Sequence, residues 1–181
     1  MLKIVKYPHK ALRKKTKPIK TITPKIVKFS QELMKTLVPK PGKPLGVGLA
    51  ATQVNHLYRL FIIKMPDEKF EVCINPEIIK SSKKMLSDLP EKDRFLEGCL
   101  SIPDYYTFVN RPLKIKVKYQ TTKGLAKTRT LIPPFSSYFS HELDHINGVL
   151  FIDHLKKSPQ QLYLANKTDK KKLDPVDNPF A

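Results

Sequence analysis

His141-Glu142-Leu143-Asp144-His145 is the stretch from which the rest of the chain is read. On a helix, two histidines four positions apart project from one face with a carboxylate between them, which is the outline of a metal site. Two histidines paired with neighbouring groups would give the same pattern without a metal. Pro133-Pro134 supplies a helix start and Gly148 a stop. At about 100° per residue, Phe135, Phe139, Leu143, Ile146 and Leu150 gather on one side, and His141 and His145 lie nearly opposite. The expected helix buries one face and turns the other toward a cleft.

Around it the pattern predicts strands. Leu57 to Met65 and Phe70 to Ile74 are apolar runs bounded by Pro66-Asp67 and Asn75-Pro76, a hairpin signal. Leu113 to Tyr119 alternates, Lys123-Gly124 turns, and Leu125 to Ile132 returns. Thr23-Pro24 opens a helix carrying Ile26, Val27, Phe29, Leu33, Met34 and Leu37, which ends before Pro39-Lys40-Pro41-Gly42. The arm up to Ile22, punctuated by Pro8 and Pro18, reads as extended, and Lys80 to Arg94 as a surface loop. Phe151 to Leu155 reads as a short strand, Pro159 to Asn166 as a brief helix, and Lys167 to Ala181 as a frayed tail. The expected class is α+β, with antiparallel sheets packed around a central helix. One catalytic domain over 1–166 is followed by a basic, flexible tail over 167–181.

The 181 residues, 40% of them apolar, suit a single globular domain. No apolar run approaches a membrane span, and Met1-Leu2-Lys3-Ile4-Val5-Lys6 lacks the features of a signal peptide, so a cytoplasmic monomer with no membrane partner is expected. A net charge of +18, including Lys14-Lys15 and Lys170-Lys171-Lys172, favours polyanions such as ribosomal RNA through counterion release. A lysine-rich solvated surface accounts for the same number. Two cysteines, Cys73 and Cys99, do not make a disulfide framework, and Cys73, between Val72 and Ile74, reads as core.

A third ligand for the histidines has several candidates. A downstream glutamate is excluded, because Glu142 is the last in the chain, and the position at which a His-x-x-Gly-x-x-His extension needs histidine holds Phe151. Asp153 and His154 remain, although adjacent extended residues point opposite ways. Upstream, Cys99 in Glu97-Gly98-Cys99-Leu100-Ser101 would be held as thiolate by a cation, or would pack as a buried cysteine. Gly46-Val47-Gly48-Leu49-Ala50-Ala51-Thr52-Gln53 strips bulk from a loop, which suits either a ligand or a tight turn, and lacks the Gly-Lys-Ser/Thr of a phosphate loop.

Together, the Gly46–Gln53, Glu97–Ser101 and His141–His145 stretches resemble the three signature motifs of peptide deformylase, in order, with Ile102-Pro103 and Asn147-Gly148-Val149-Leu150-Phe151 extending the likeness. The resemblance implies a deformylase-like α+β fold and hydrolysis of the N-formyl group from the initiator methionine of nascent peptides, releasing formate. It implies one metal, iron(II) with zinc, nickel or cobalt as substitutes, on Cys99, His141 and His145. Glu142 would take a proton from water and pass it to the leaving amine, with Gln53 and the Leu100 N–H as oxyanion donors. Gly46, Gly48 and Tyr106 would contact the substrate, whose backbone could add to a strand edge near Gly46.

The departures surround the motifs. Where the family often has Ala-Arg and then Gln ahead of the His-Glu pair, this chain has Ser136-Ser137 and Ser140, and Asp104-Tyr105-Tyr106 replaces a segment that in many members carries arginine. Arg111 matches a family arginine and is expected to pair with Asp144, unless both are surface groups. Two rival functions are a hydrolase for another acylated amine and a basic ribosome-binding protein on the same scaffold.

Overall fold

The alternation of Leu113 to Tyr119 and its returning partner becomes β6 and β7 of a computed structural model that describes residues 1–40, 42–158, 160–169 and 172–180. Its strands are β1 (Gly48–Ala50), β2 (Leu60–Lys64), β3 (Phe70–Ser81), β4 (Glu97–Cys99), β5 (Ile102–Thr107), β6 (Ile115–Gln120), β7 (Ala126–Leu131), β8 (Leu162–Ala165) and β9 (Leu173–Val176). Its α-helices are α1 (Pro24–Leu37), α2 (Phe135–Ile146) and α3 (His154–Lys157). The strands form two antiparallel sheets among the described residues, ordered β1-β2-β3-β6-β7 and β4-β5-β8-β9.

The first sheet lies between two helices, and β2 shows why. Leu60 and Ile62 face a cluster with Ile26, Phe29, Leu33 and Leu37 of α1. Phe61 and Ile63 face the opposite cluster with Phe139 and Ile146 of α2. A strand buried on both sides carries a continuous apolar run rather than an alternating one. Cys73, paired in register with Phe61, is part of that core. Burial, reinforced by the charge of Glu71, pushes its thiol well up.

Several expectations are corrected. The opening arm contains a 3-10 turn, Lys10–Arg13, whose Leu12 is buried. β3 continues past Asn75-Pro76 because a register shift between Ile74 and Glu77 accommodates the proline, which has no N–H for the ladder. The 80–94 segment begins inside β3 and then makes short turns at Leu86–Asp88 and Glu91–Asp93, with Leu86 buried. Phe151–Asp153 is a 3-10 turn leading into α3, not a strand, because the Asp153 carboxylate accepts the Leu150 N–H at 2.8 Å and tightens the backbone. Leu150, beyond the end of α2, joins a third cluster with Leu12, Ile102 and Phe151.

The C-terminal segment departs furthest. Residue 159 lies outside the described residues, and the helix expected toward Asn166 is instead β8, which pairs with β5 through Tyr105↔Leu164 and Tyr106↔Tyr163. Residues 170, 171 and 181 of the expected frayed tail are likewise outside the description, yet within that tail β9 pairs with β8, and its Pro175 is accommodated on an edge strand. Phe180 stands edge-on to Tyr7 and Tyr105, with ring centroids 5.5 and 5.0 Å away. An existing sheet edge supplies backbone partners that the tail's composition does not announce. No helix among the described residues is long and apolar enough to cross a membrane.

Candidate active site

Helix α2 is buried on more than its apolar face: Ser136, Ser137, Ser140, Glu142 and His145 are buried as well. Gly148 (φ +78) follows its end. Carbonyls in its last turn are not left open, since Thr52 Oγ1 donates to His145 O and both Thr16 N and Oγ1 donate to Ile146 O. These bonds fix the end that bears His145.

The second sheet brings the cysteine. β4 and β5 form a hairpin whose ladder slips between Gly98 and Cys99, so Cys99 pairs with Ile102 across a two-residue turn, Leu100-Ser101. A ligand atom from each of Cys99, His141 and His145 lies within 4.8 Å of the others, with Cys99 Sγ 3.1 Å from His145 Nε2. One sulfur and two imidazole nitrogens suit a transition-metal ion or zinc. Glu142 Oε2 and His145 Nδ1 are buried without a hydrogen-bond partner among the described residues.

The electrostatics fit a cation. Burial alone would raise the Cys99 thiol, but the His145 and His141 imidazoles bring it well below its ordinary value. Burial works against a charged His141, yet Cys99 and Glu97 hold its pKa well up. Burial pushes the Glu142 carboxyl up to about 7, a value suited to a proton carrier near neutrality.

Arg111 organises the ligands from behind. Its guanidinium grips Glu97 with Nε and Nη2, at 2.9 and 3.0 Å, and Asp144 with Nη1 at 2.6 Å. Glu97 also accepts from His141 Nδ1 at 2.9 Å, which leaves Nε2 of that ring for the ligand position. Burial opposes the charge on Glu97, but Arg111 and His141 bring its pKa down to about 2. The expected Arg111–Asp144 pair is thus present, and with Arg111 only 5% exposed it is not a surface contact. Asp144 also receives His154 Nε2 at 2.9 Å, while Asp153 pairs with Arg13, so neither downstream ligand candidate reaches the cluster. The role of Glu97 was missed in the sequence, although it stands in the cysteine motif.

A cleft of about 440 Å³ opens on this cluster. Gly46, Gly48, Gln53, Cys99, Leu100, Tyr106, His141 and Glu142 all line it, and His145 lies behind, 1% exposed. Gln53 is fixed at both ends of its amide: Oε1 accepts from Ala50 N at 2.8 Å, and Nε2 approaches Ser101 Oγ at 3.2 Å and Cys99 Sγ at 3.6 Å. A Cβ on Gly48 would sit 2.4 Å from Glu142 Oε1, so glycine is what lets β1 and the carboxylate share this space. Gly98 makes the corresponding room for the Tyr106 ring, which a Cβ would meet at 2.5 Å. Of the serines that depart from the family pattern, Ser140 Oγ bonds back to Ser136 O at 2.8 Å, and the Ser136 and Ser137 hydroxyls have no partner among the described residues.

Comparison with known proteins agrees with this geometry. A family model described as polypeptide deformylase matches residues 1–161. The peptide deformylase of Desulfotalea psychrophila is 36% identical over 168 residues, covering 90% of this chain and 92% of that one. Its counterpart from Brucella suis is 34% identical, with 87% and 86% covered. The crystal structure of peptide deformylase from Thermotoga maritima matches with a TM-score of 0.74 at 33% identity, over 84% of this chain and 96% of that one.

Proposed function

The chain belongs to the polypeptide deformylase family and removes the N-formyl group from newly made polypeptides, and we propose that Glu142, Gln53, Leu100, Cys99, His141 and His145 carry the reaction. The observation behind this assignment is the convergence of one thiol and two imidazoles on the cleft that holds the Glu142 carboxyl. Cys99, His141 and His145 hold the metal, iron(II) in our reading, with zinc, nickel or cobalt able to replace it. Bound there, the ion supplies Lewis-acid polarisation and lowers the pKa of a water.

Glu142 accepts a proton as water adds to the formyl carbon, then delivers it to the amine as the C–N bond breaks, giving formate and a free N-terminus. Negative charge growing on the formyl oxygen is met by the Gln53 amide and the Leu100 N–H. Gly46, Gly48 and Tyr106 line the substrate side, and β1, the edge strand of its sheet, is the strand to which the peptide backbone would add. Residues 1–166 carry this chemistry. We read the enzyme as a cytoplasmic monomer whose charge of +18 supports contact with ribosomal RNA near the emerging chain. Salt-independent co-sedimentation with ribosomes, or none, would remove that last reading.

Formate release from formyl-Met-Ala-Ser, set against its acetylated analogue and coupled to metal analysis of anaerobically purified protein, tests the assignment. Rapid formate release with stoichiometric iron, lost in air and restored by nickel, is expected. Equal turnover of the acetyl peptide would make it a general acyl-amine hydrolase, and turnover surviving complete metal removal would refute the metal assignment.

A further inference from the structure

The peptide unit joining Leu100 to Ser101 is held at both ends. Its N–H, on Ser101, points at Cys99 Sγ from 3.4 Å. Its carbonyl, on Leu100, accepts from the ammonium of Lys6. Lys6 is an exposed lysine that lines the catalytic cleft, and it belongs to an arm tied to both walls of that cleft: Val5 N donates to Gln53 O at 2.8 Å, and Tyr7 N to Ser101 O at 2.9 Å. A solvent-exposed hydrogen bond of this kind contributes little to folding stability. A cation on a carbonyl oxygen does, however, draw electron density through the amide and strengthen its N–H as a donor.

We propose that Lys6 is a positioning residue for catalysis, acting through the Leu100–Ser101 peptide on the sulfur of Cys99. The chain of contacts is ammonium to Leu100 carbonyl, then Ser101 N–H to thiolate. An N–H donated to a metal-ligating sulfur withdraws charge from it, so Lys6 moderates how strongly Cys99 donates to the ion. By fixing the turn, the same contact steadies the Leu100 N–H, one peptide unit earlier, which we assign as an oxyanion donor. The inference rests on Cys99 being a metal ligand.

Cobalt-loaded protein tests it, because a thiolate–cobalt bond has its own charge-transfer absorption. In Lys6→Met the band is expected at longer wavelength, with kcat reduced about 3- to 10-fold, KM little changed and metal content intact. Lys6→Arg, which retains a cationic donor, is expected to restore both band and rate. An unshifted band in Lys6→Met overturns the inference, as does a shifted band that Lys6→Arg shares while both variants unfold at the parent temperature. If the parent itself shows no thiolate band, the assignment of Cys99 as ligand fails first, and the role of Lys6 falls with it.

Discussion

Helix α2 and the β4–β5 hairpin face each other across the cleft, and they hold their functional groups by different means. His141, Glu142 and His145 are set by the helix period, and the packing of Phe139 and Ile146 against the first sheet fixes the helix itself. Cys99 and Leu100 sit at a bulged turn of a short hairpin, which gains its order from outside: Arg111 through Glu97, the Gln53 amide, and the arm at Val5–Tyr7. On the helix, local geometry and function coincide. At the hairpin, residues distant in the chain decide where the sulfur lies.

The largest effects should separate the two sides. Cys99→Ala should leave the protein with little bound metal by elemental analysis, and full retention would show that the hairpin is not a ligand arm. Glu142→Ala should keep its metal and lose about 10²- to 10⁴-fold in kcat. Near-normal turnover in that variant would end the proton-carrier assignment. For Gln53→Leu, steady-state kinetics should show a fall of about 10²- to 10³-fold in kcat, and an effect confined to KM would instead make Gln53 a binding group.

Arg111→Met tests whether the hairpin depends on remote support. Chelator competition should report metal affinity lowered about 10- to 100-fold, whereas unchanged affinity would mean that Glu97 orients His141 unaided. The smallest effect lies away from both elements, at Glu71. Burial opposes its charge, but Lys127, Tyr119 and Arg129 bond to it and lower its pKa. A carboxylate depressed on folding stabilises the protein above the ordinary carboxylate pKa of about 4.3, and that contribution fades as pH drops through the folded value. Glu71→Gln should therefore flatten the acid side of the unfolding-temperature profile by about 4 °C or less. An unchanged profile would mean that these partly exposed pairs contribute nothing measurable.

What the sequence disclosed follows the same division. The helix was legible because its period, its start at Pro133-Pro134 and its stop at Gly148 act within a few residues. β6 was legible because one of its faces is buried in alternation, and β7 because the turn at Lys123-Gly124 sends the chain back along it. Local chemistry favoured Cys99, with Gly98 beside it, over the adjacent Asp153 and His154, but left a buried structural cysteine open, and the resemblance of three motifs closed that alternative. Glu97 and Lys6 gave no local signal, since a glutamate under a buried arginine and a lysine on a distant carbonyl look like any surface charge until the chain is folded. β9 escaped for a related reason, its order coming from the open edge of β8.

The three ligand atoms do not belong to one layer: the imidazoles ride on a helix packed against the first sheet, and the thiol comes from the second. An ion gripping all three is therefore a cross-link between halves of the molecule, and folding becomes linked to the free-metal concentration. Each tenfold rise in free ion above its dissociation constant should add about 1.4 kcal/mol to unfolding. Metal scarcity would then weaken the joint between the two sheets as well as stop the chemistry.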